Sequence, residues 1–316
     1  MPEKQINITV LMPAYNSAKY IGAAVKSILN QTYKEFEFLI IDDGSTDDTE
    51  KIVCGFKDSR IIYKKTEHKG TSAALNFGIT QASGSWIARI DSDDLNVPVR
   101  LEKQVNFIKS NPEYDIIGSW SVYFRNPCKV LFLLREPVEN KDIYEYLNLH
   151  NPVNSSTVIY KKSLIKKAKY SEDFTAYEDY ELFFRIRDEV KFYNLPEFLA
   201  YTRLRNDSRT RTGEGIDIFN LINDYAVRHL INAGRKRDQF YWATTSAWQN
   251  FFYGEKNDSR SYFRRVPSLK NFTALAATLL PEKTFRKLIE SHIKYRINDL
   301  FTNKKKFKNE LRNLLS

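Results

Sequence analysis

The constraint that narrows the fold most is a regular alternation through the first 124 residues. Short runs rich in β-branched and aromatic residues, at 6–12, 36–41, 60–63, 86–90 and 116–124, are separated by helix-length patterns at 18–29, 47–56, 71–82 and 97–110. Strand and helix in strict turn predict a parallel α/β sheet with helices on both faces. In such sheets ligands gather beyond the carboxyl ends of the strands. The polar clusters 13–17, 42–46 and 91–94 all fall at those ends, so three separate segments converge on one rim. Beyond about residue 127 the alternation fades, with strand patterns at 156–160, 191–193 and 199–204 and a helix beginning near Tyr180. From residue 216 the pattern is helical, with Phe219, Leu221, Ile222, Tyr225 and Leu230 forming an apolar stripe. The expected division is a sheet domain over 1–213 and a helical, basic C-terminal region over 214–316.

At 316 residues and 42% hydrophobic composition the chain can bury a substantial core. No run approaches the roughly 20 apolar residues that span a bilayer, and the N-terminus lacks the pattern of a signal peptide, so a cytosolic protein is expected. Cys54 and Cys128 have no paired spacing that would suggest a disulfide framework or a zinc site. His68, His150, His229 and His292 are equally scattered. Of the net charge of +10, residues 281–316 hold ten Lys and Arg against four Asp and Glu, a local excess of +6. That excess suits an anionic lipid surface, a nucleic acid or an acidic partner, or else is a solvated helix face.

The acids carry most of the chemical information. Asp91-Ser92-Asp93-Asp94 sets three carboxylates within four positions, directly after a strand pattern. Such carboxylates repel one another unless a cation lies among them. Hard oxygen ligands favour Mg2+ or Mn2+, ions that also hold nucleotide diphosphates. The competing explanation is a polar turn at a strand end, and Asp94 in particular fits a turn leading to Asn96 and Pro98. In Pro13-Ala14-Tyr15-Asn16 the proline closes the first strand, since it cannot continue a ladder, and the tyrosine ring can stack on a base. Asp42 and Asp43 sit at a strand end, where they can accept hydrogen bonds from a ribose or a base. Asp47, Asp48 and Glu50 are explained by a helix start. Glu178-Asp179 precedes the helical pattern Leu182, Phe183, Ile186, as either a cap or a catalytic pair. Arg203, Arg205, Arg209 and Arg211 follow the last strand pattern as either a loop over a diphosphate, with Arg209 foremost, or a solvated linker.

Taken in order, Pro-Ala-Tyr-Asn, Asp-Asp-Gly-Ser-Thr-Asp, Gly70 with Asn76-Phe77-Gly78, and Asp-Ser-Asp-Asp resemble the family 2 glycosyltransferases, inverting enzymes of the GT-A fold that use nucleotide sugars. The resemblance covers about the first 205 residues. It implies a Rossmann-like, mostly parallel sheet flanked by helices, with the C-terminal region as a helical appendage. Pro13, Tyr15 and Asp43 would line the nucleoside pocket, with Ala14, Asn16, Asp42, Asn76 and Ser92 completing the donor site. Asp91 would face the sugar or ribose and Asp93 the metal, Mn2+ or Mg2+, in a DXD-like element. Asp179 would be the general base and Glu178 its orienting neighbour. Many relatives carry an arginine before the asparagine of the third block. Leu75 stands there, and Lys69 is the nearest cation that could replace it. The family also implies a donor that is most often a UDP-sugar, and a glycan or polyprenyl-diphosphate-linked acceptor in surface polysaccharide synthesis. Peripheral contact at the inner face of the plasma membrane, through the basic C-terminal helices, would suit that acceptor. A nucleotidyltransferase is the rival enzyme, disfavoured by the lack of a Gly-rich phosphate loop. A nucleic-acid-binding protein is disfavoured because the acids collect at the rim, so no nucleic acid partner is expected.

Overall fold

Every residue of the first strand, β1 (Ile8–Ala14), is buried, as is every residue of β4 (Trp86–Arg89). Strands covered on both faces belong in the interior of a parallel sheet. In the computed structural model, which describes residues 6–125, 129–147, 151–174, 176–205 and 304–315, they sit side by side. Parallel β2 (Phe36–Asp42) and β3 (Ile61–Lys65) extend the sheet on the far side of β1. Alternate residues of β1 serve opposite faces. Ile8, Val10 and Met12 join the core with Ile21, Ala24, Val25 and Ile28 of α1 (Ile21–Leu29) and Leu101, Val105 and Ile108 of α4 (Arg100–Ser110). Leu11 faces α3 (Thr71–Gln81), which lies so close that a Cβ on Gly78 would come within 2.4 Å of Leu11 Cδ1. The short α2 (Thr49–Cys54) packs beside α1.

Pro13 does not end its strand. β1 continues to Ala14, with Pro13 in register with Ile41. Leu11 O accepts from Ile90 on the β4 side and Ala14 O accepts from Asp43 on the β2 side. By alternation Pro13 faces the β4 side, beyond the last β1–β4 pair at Leu11 and Arg89, where no N–H is required.

The second half makes the sheet mixed. The full order is β3-β2-β1-β4-β8-β6-β9-β5, with β7 (Lys129–Leu134) also paired to β6 (Ile116–Arg125). β8 (Ile159–Lys161) runs antiparallel to both β4 and β6, so the loop before it lies at the same rim as the loop after β4. β9 (Phe192–Arg203) is parallel to β6 and antiparallel to the two-residue β5 (Leu95–Asn96). The patterns at 191–193 and 199–204 are thus one strand, interrupted in register where Ser119 pairs with Leu195 and Trp120 with Phe198. Pro196 lies in that irregularity, where a missing N–H does least harm. β5, β7, α5 (Asn140–Tyr146) and α6 (Lys162–Ala168) were not anticipated, being too short to establish a period. The helix expected near Tyr180 is α7 (Glu178–Ile186).

Two features stiffen the rim from behind. Arg100 is fully buried and donates to Asn96, Gln104 and Val158 O, bracing α4 against β5 and the start of β8. Asn96 in turn donates to Ser156 O at 2.9 Å. At the other end of the chain, α8 (Lys304–Leu315) lies on the sheet, where Phe307 meets the Phe198 ring at 5.2 Å and Leu311 is fully buried. Tyr201 Oη donates to Glu310 at 2.7 Å. All the described residues fall in one compact unit.

Candidate active site

The loops that follow β1 and β2 are stitched together by small polar side chains. Asn16 N–H donates to Ser45 Oγ at 2.9 Å, and Asn16 Oδ1 accepts from Thr46 N at 2.9 Å. Asn16 adopts φ 45°, a left-handed conformation that asparagine tolerates well. Asp47 accepts from Ala18 N and Thr49 N, each at 3.0 Å, so it fixes the start of α2 to the β1 loop. Asp42 is fully buried, with Oδ1 accepting from Ser45 N at 2.6 Å and Oδ2 from the Tyr63 hydroxyl. It stands behind the rim and shapes the loop.

Asp43 organises the next layer. Its carboxylate accepts from Lys69 N at 2.8 Å and Gly70 N at 2.9 Å, and His68 Nδ1 lies 2.8 Å from Oδ2. Gly44, at φ 75°, makes that approach possible, because a Cβ there would lie 2.8 Å from His68 N. His68 then stacks on Tyr15 with ring centroids 4.0 Å apart and planes within 13°. Tyr15, at 39% exposure, presents its ring at the rim. His68 had no motif to announce it. Lys69 is an exposed turn lysine with Nζ 3.5 Å from Glu67. Asn76 spends its amide on Tyr170, donating to its carbonyl and accepting from its N–H, both at 2.9 Å.

The loop after β4 joins this rim through Ser92, whose Oγ is 2.7 Å from Ser17 Oγ. Asp91 N donates to Ser156 Oγ at 3.0 Å, which sets the loop on the β8 entry. Asp94 lies in the turn, its N–H donating to Asp91 O at 3.1 Å. It is buried and accepts from Arg203 N at 2.7 Å, holding the end of β9, and burial with Asp93 and Asp91 nearby raises its proton affinity well above the ordinary carboxylate range. Asp93 lies 3.0 Å from Arg205 Nε, while Arg203 Nε donates to the Asp93 carbonyl at 2.8 Å. Burial raises the Asp93 pKa and Arg205 opposes the rise. Arg203, which the structure places as the last residue of β9 and not beyond it, and Arg205 therefore attend the acidic loop; Arg209 and Arg211 lie outside the described residues, as does His150.

Across the loop from Asp91 lies the acidic start of α7. Arg89, at 3% side-chain exposure, reaches Asp91 Oδ1 at 3.1 Å and Glu178 Oε1 at 2.8 Å. Tyr177, just before the helix, is held at φ 58°, a conformation costly for a bulky residue and found most often at functional sites. Asp179 is 9% exposed and accepts from the Ser155 hydroxyl. Burial and the neighbouring Glu178 push its pKa up to about 6, against the opposing pull of Arg89 and the Ser155 hydrogen bond. That value suits a group that takes a proton near neutral pH. Ser155 and Arg89 escape notice in the sequence, although an arginine in an otherwise apolar strand is a signal in itself.

Among the described residues no three His, Cys, Asp or Glu side chains gather to hold a metal by themselves. Asp91 and Asp93 nonetheless fit a hard cation. They are two carboxylates one residue apart on one loop, and oxygen ligands of this kind suit a hard divalent ion. Mg2+ commonly takes one or two carboxylates and fills its other positions with substrate phosphates and water.

The chain matches the Glycosyl transferase family 2 description over residues 9–174, more than half of its length, and it belongs to that family. It is a glycosyltransferase of GT-A fold. It is 34% identical over 214 residues to the O-antigen biosynthesis glycosyltransferase WbnJ of Escherichia coli, spanning 65% of this chain and 82% of that one. An uncharacterized glycosyltransferase of Methanocaldococcus jannaschii is 32% identical over 206 residues, 63% of this chain and 71% of that one. Among solved structures, residues 1–349 of S. aureus TarS in complex with UDP superimpose with a TM-score of 0.59 at 20% identity, covering 98% of this chain and 90% of that one. The mannosyltransferase PcManGT of Pyrobaculum calidifontis, in complex with GDP-Man and Mn2+, gives 0.60 at 17% identity, covering 95% and 88%. Among the described residues no helix is long and apolar enough to cross a membrane.

Proposed function

We propose that this protein transfers a sugar from a nucleoside diphosphate sugar to a hydroxyl of a glycan or lipid-linked acceptor, inverting the anomeric centre, in the synthesis of a surface polysaccharide. The observation that carries the reading is Asp179, a buried carboxylate with raised proton affinity, joined to the Asp91 loop through Glu178 and a single guanidinium. The nucleotide sugars held by TarS and PcManGT and the O-antigen role of WbnJ support the choice of donor and pathway. Tyr15 and Asp43 would receive the nucleoside, with Pro13, Ala14, Asn16, Ser92 and Asn76 shaping the pocket and Arg209 closing on the diphosphate. Asp179 takes the acceptor hydroxyl proton as that oxygen bonds to the anomeric carbon and the bond to the diphosphate breaks. Glu178 keeps the base oriented. In-line attack in one step gives inversion, with a nucleoside diphosphate as the second product. Asp91 and Asp93 would hold Mn2+ or Mg2+, which when bound neutralises charge on the diphosphate.

A panel of nucleotide sugars, tested with and without Mn2+ or Mg2+, is expected to yield nucleoside diphosphate from one donor and to lose that release with EDTA. Pyrophosphate release would identify a nucleotidyltransferase instead, and silence across the panel would defeat the reading. Contact with an anionic membrane surface belongs to the same proposal. On α8, Lys308 and Arg312 are exposed while Phe307 and Leu311 are buried, which turns basic residues outward. Co-sedimentation with phosphatidylglycerol vesicles at low salt should weaken in a K308E/R312E variant. Equal sedimentation of both proteins would remove this surface from the membrane contact.

A further inference from the structure

Arg89 is the only charged residue of β4 and one of the most deeply buried cations of the sheet. Its Nε and Nη2 lie 3.2 and 3.1 Å from Asp91 Oδ1, and the same Nη2 donates to Glu178 Oε1 at 2.8 Å. Its Nη1 is buried and has no hydrogen-bond partner. The other titratable neighbours are Tyr170, whose ring centroid is 5.9 Å away, and Asp179. A buried ion pair is weak evidence for stability, because desolvation offsets most of the Coulomb attraction and an apolar replacement is often as stable. The unpaired Nη1 adds a further desolvation cost. Stability alone is therefore a poor reason for this arginine. Its geometry has a more specific consequence, since one planar group fixes the separation of Asp91, on the loop after β4, from Glu178, on the first turn of α7.

We propose that Arg89 is a positioning residue that ties the donor-side carboxylate of Asp91 to Glu178, holding the base at Asp179 in register with the bond to be broken. This rests on the roles given above to Asp91 and Asp179. Lysine keeps the charge but offers a single ammonium where the guanidinium fork spans two carboxylates. R89K is thus expected to fold and to lose about 10- to 100-fold in kcat, with donor KM nearly unchanged, the penalty of a small misplacement. R89M removes a charge that favours ionised Asp179. Asp179 should then ionise only at higher pH, and the acid limb of kcat should move up by about one unit or more. Loss of a purely structural contact would lower the fraction of folded enzyme and leave the limb in place.

The measurement is nucleoside diphosphate release against pH, at saturating donor, for wild type, R89K, R89M and D179N, each checked for folding by circular dichroism. Folded R89K with wild-type kcat overturns the proposal even if R89M does not fold. So does folded R89M with an unmoved acid limb. D179N separates this from the broader reading. If D179N is inactive and R89K is normal, only the role of Arg89 fails; if D179N is fully active, the base assignment beneath it fails as well.

Discussion

Asp42 and Asp179 are both buried carboxylates at the rim of one sheet, and their surroundings differ in kind. Asp42 meets only neutral donors, the Ser45 N–H and the Tyr63 hydroxyl, and both oxygens are satisfied. Asp179 lies beside Glu178 in a low-dielectric setting, so that its charged form is disfavoured. Hydrogen bonds to both oxygens tie the Asp42 carboxylate into the loop after β2. Burial beside another carboxylate raises proton affinity, the property that the proposed base requires. The same contrast divides the rim: around Asp42 and Asp43 the carboxylates are held mainly by backbone N–H groups, whereas around Asp91, Asp93 and Glu178 they are held by arginines.

The strongest test of the contrast is D179N, expected to lower kcat by about 10²- to 10⁴-fold while donor binding, followed by calorimetry, is retained. Normal turnover would dissolve the distinction. The substitution should also change stability with pH. A carboxylate whose folded pKa is raised stabilises the fold below its unfolded value of about 4, and that share is lost as pH rises through about 6. Urea unfolding should therefore find D179N more stable than wild type above pH 6 and level with it near pH 4. S155A comes next, because it removes a hydrogen bond that favours ionised Asp179; the acid limb of kcat should rise by about one unit. On the opposite side of the comparison, Y63F should leave that limb untouched and cost about 1–3 kcal/mol in urea unfolding, the penalty of an unsatisfied buried acceptor. A shift in the limb would mean the two sides are not independent. G44A, the mildest, should cost more than about 1 kcal/mol through its positive φ and crowding at His68, and should raise donor KM through the displaced Tyr15 stack.

Much of this was legible because long elements advertise themselves. β1, β2, α3 and α4 each carry enough residues to be read, and the polar ends of the strands mark the rim. β5, with two residues, has no period to read, and the strand pattern at 156–160 did not reveal that the chain before β8 brings Ser156 to Asp91 and Ser155 to Asp179. The acidic motifs themselves stood out, but their partners did not. Arg89 pairs with Glu178 across 89 positions, and Arg203 meets Asp94 across 109. Separations of that size are set by strand order, which hydropathy does not encode. Asp94 illustrates the point: a turn explains its position, and only the neighbouring β9 explains its burial.

The docking of α8 bears on how the chain can be divided. With Phe307 against Phe198 and Glu310 on the Tyr201 hydroxyl, residues 304–315 complete the same unit that residues 6–205 begin. A minimal catalytic fragment therefore cannot end at β9. Cutting there would bare the Phe198 and Tyr201 surface and invite aggregation. In terms of chain topology residues 206–303 are an insertion, covalently anchored on both sides to the sheet unit.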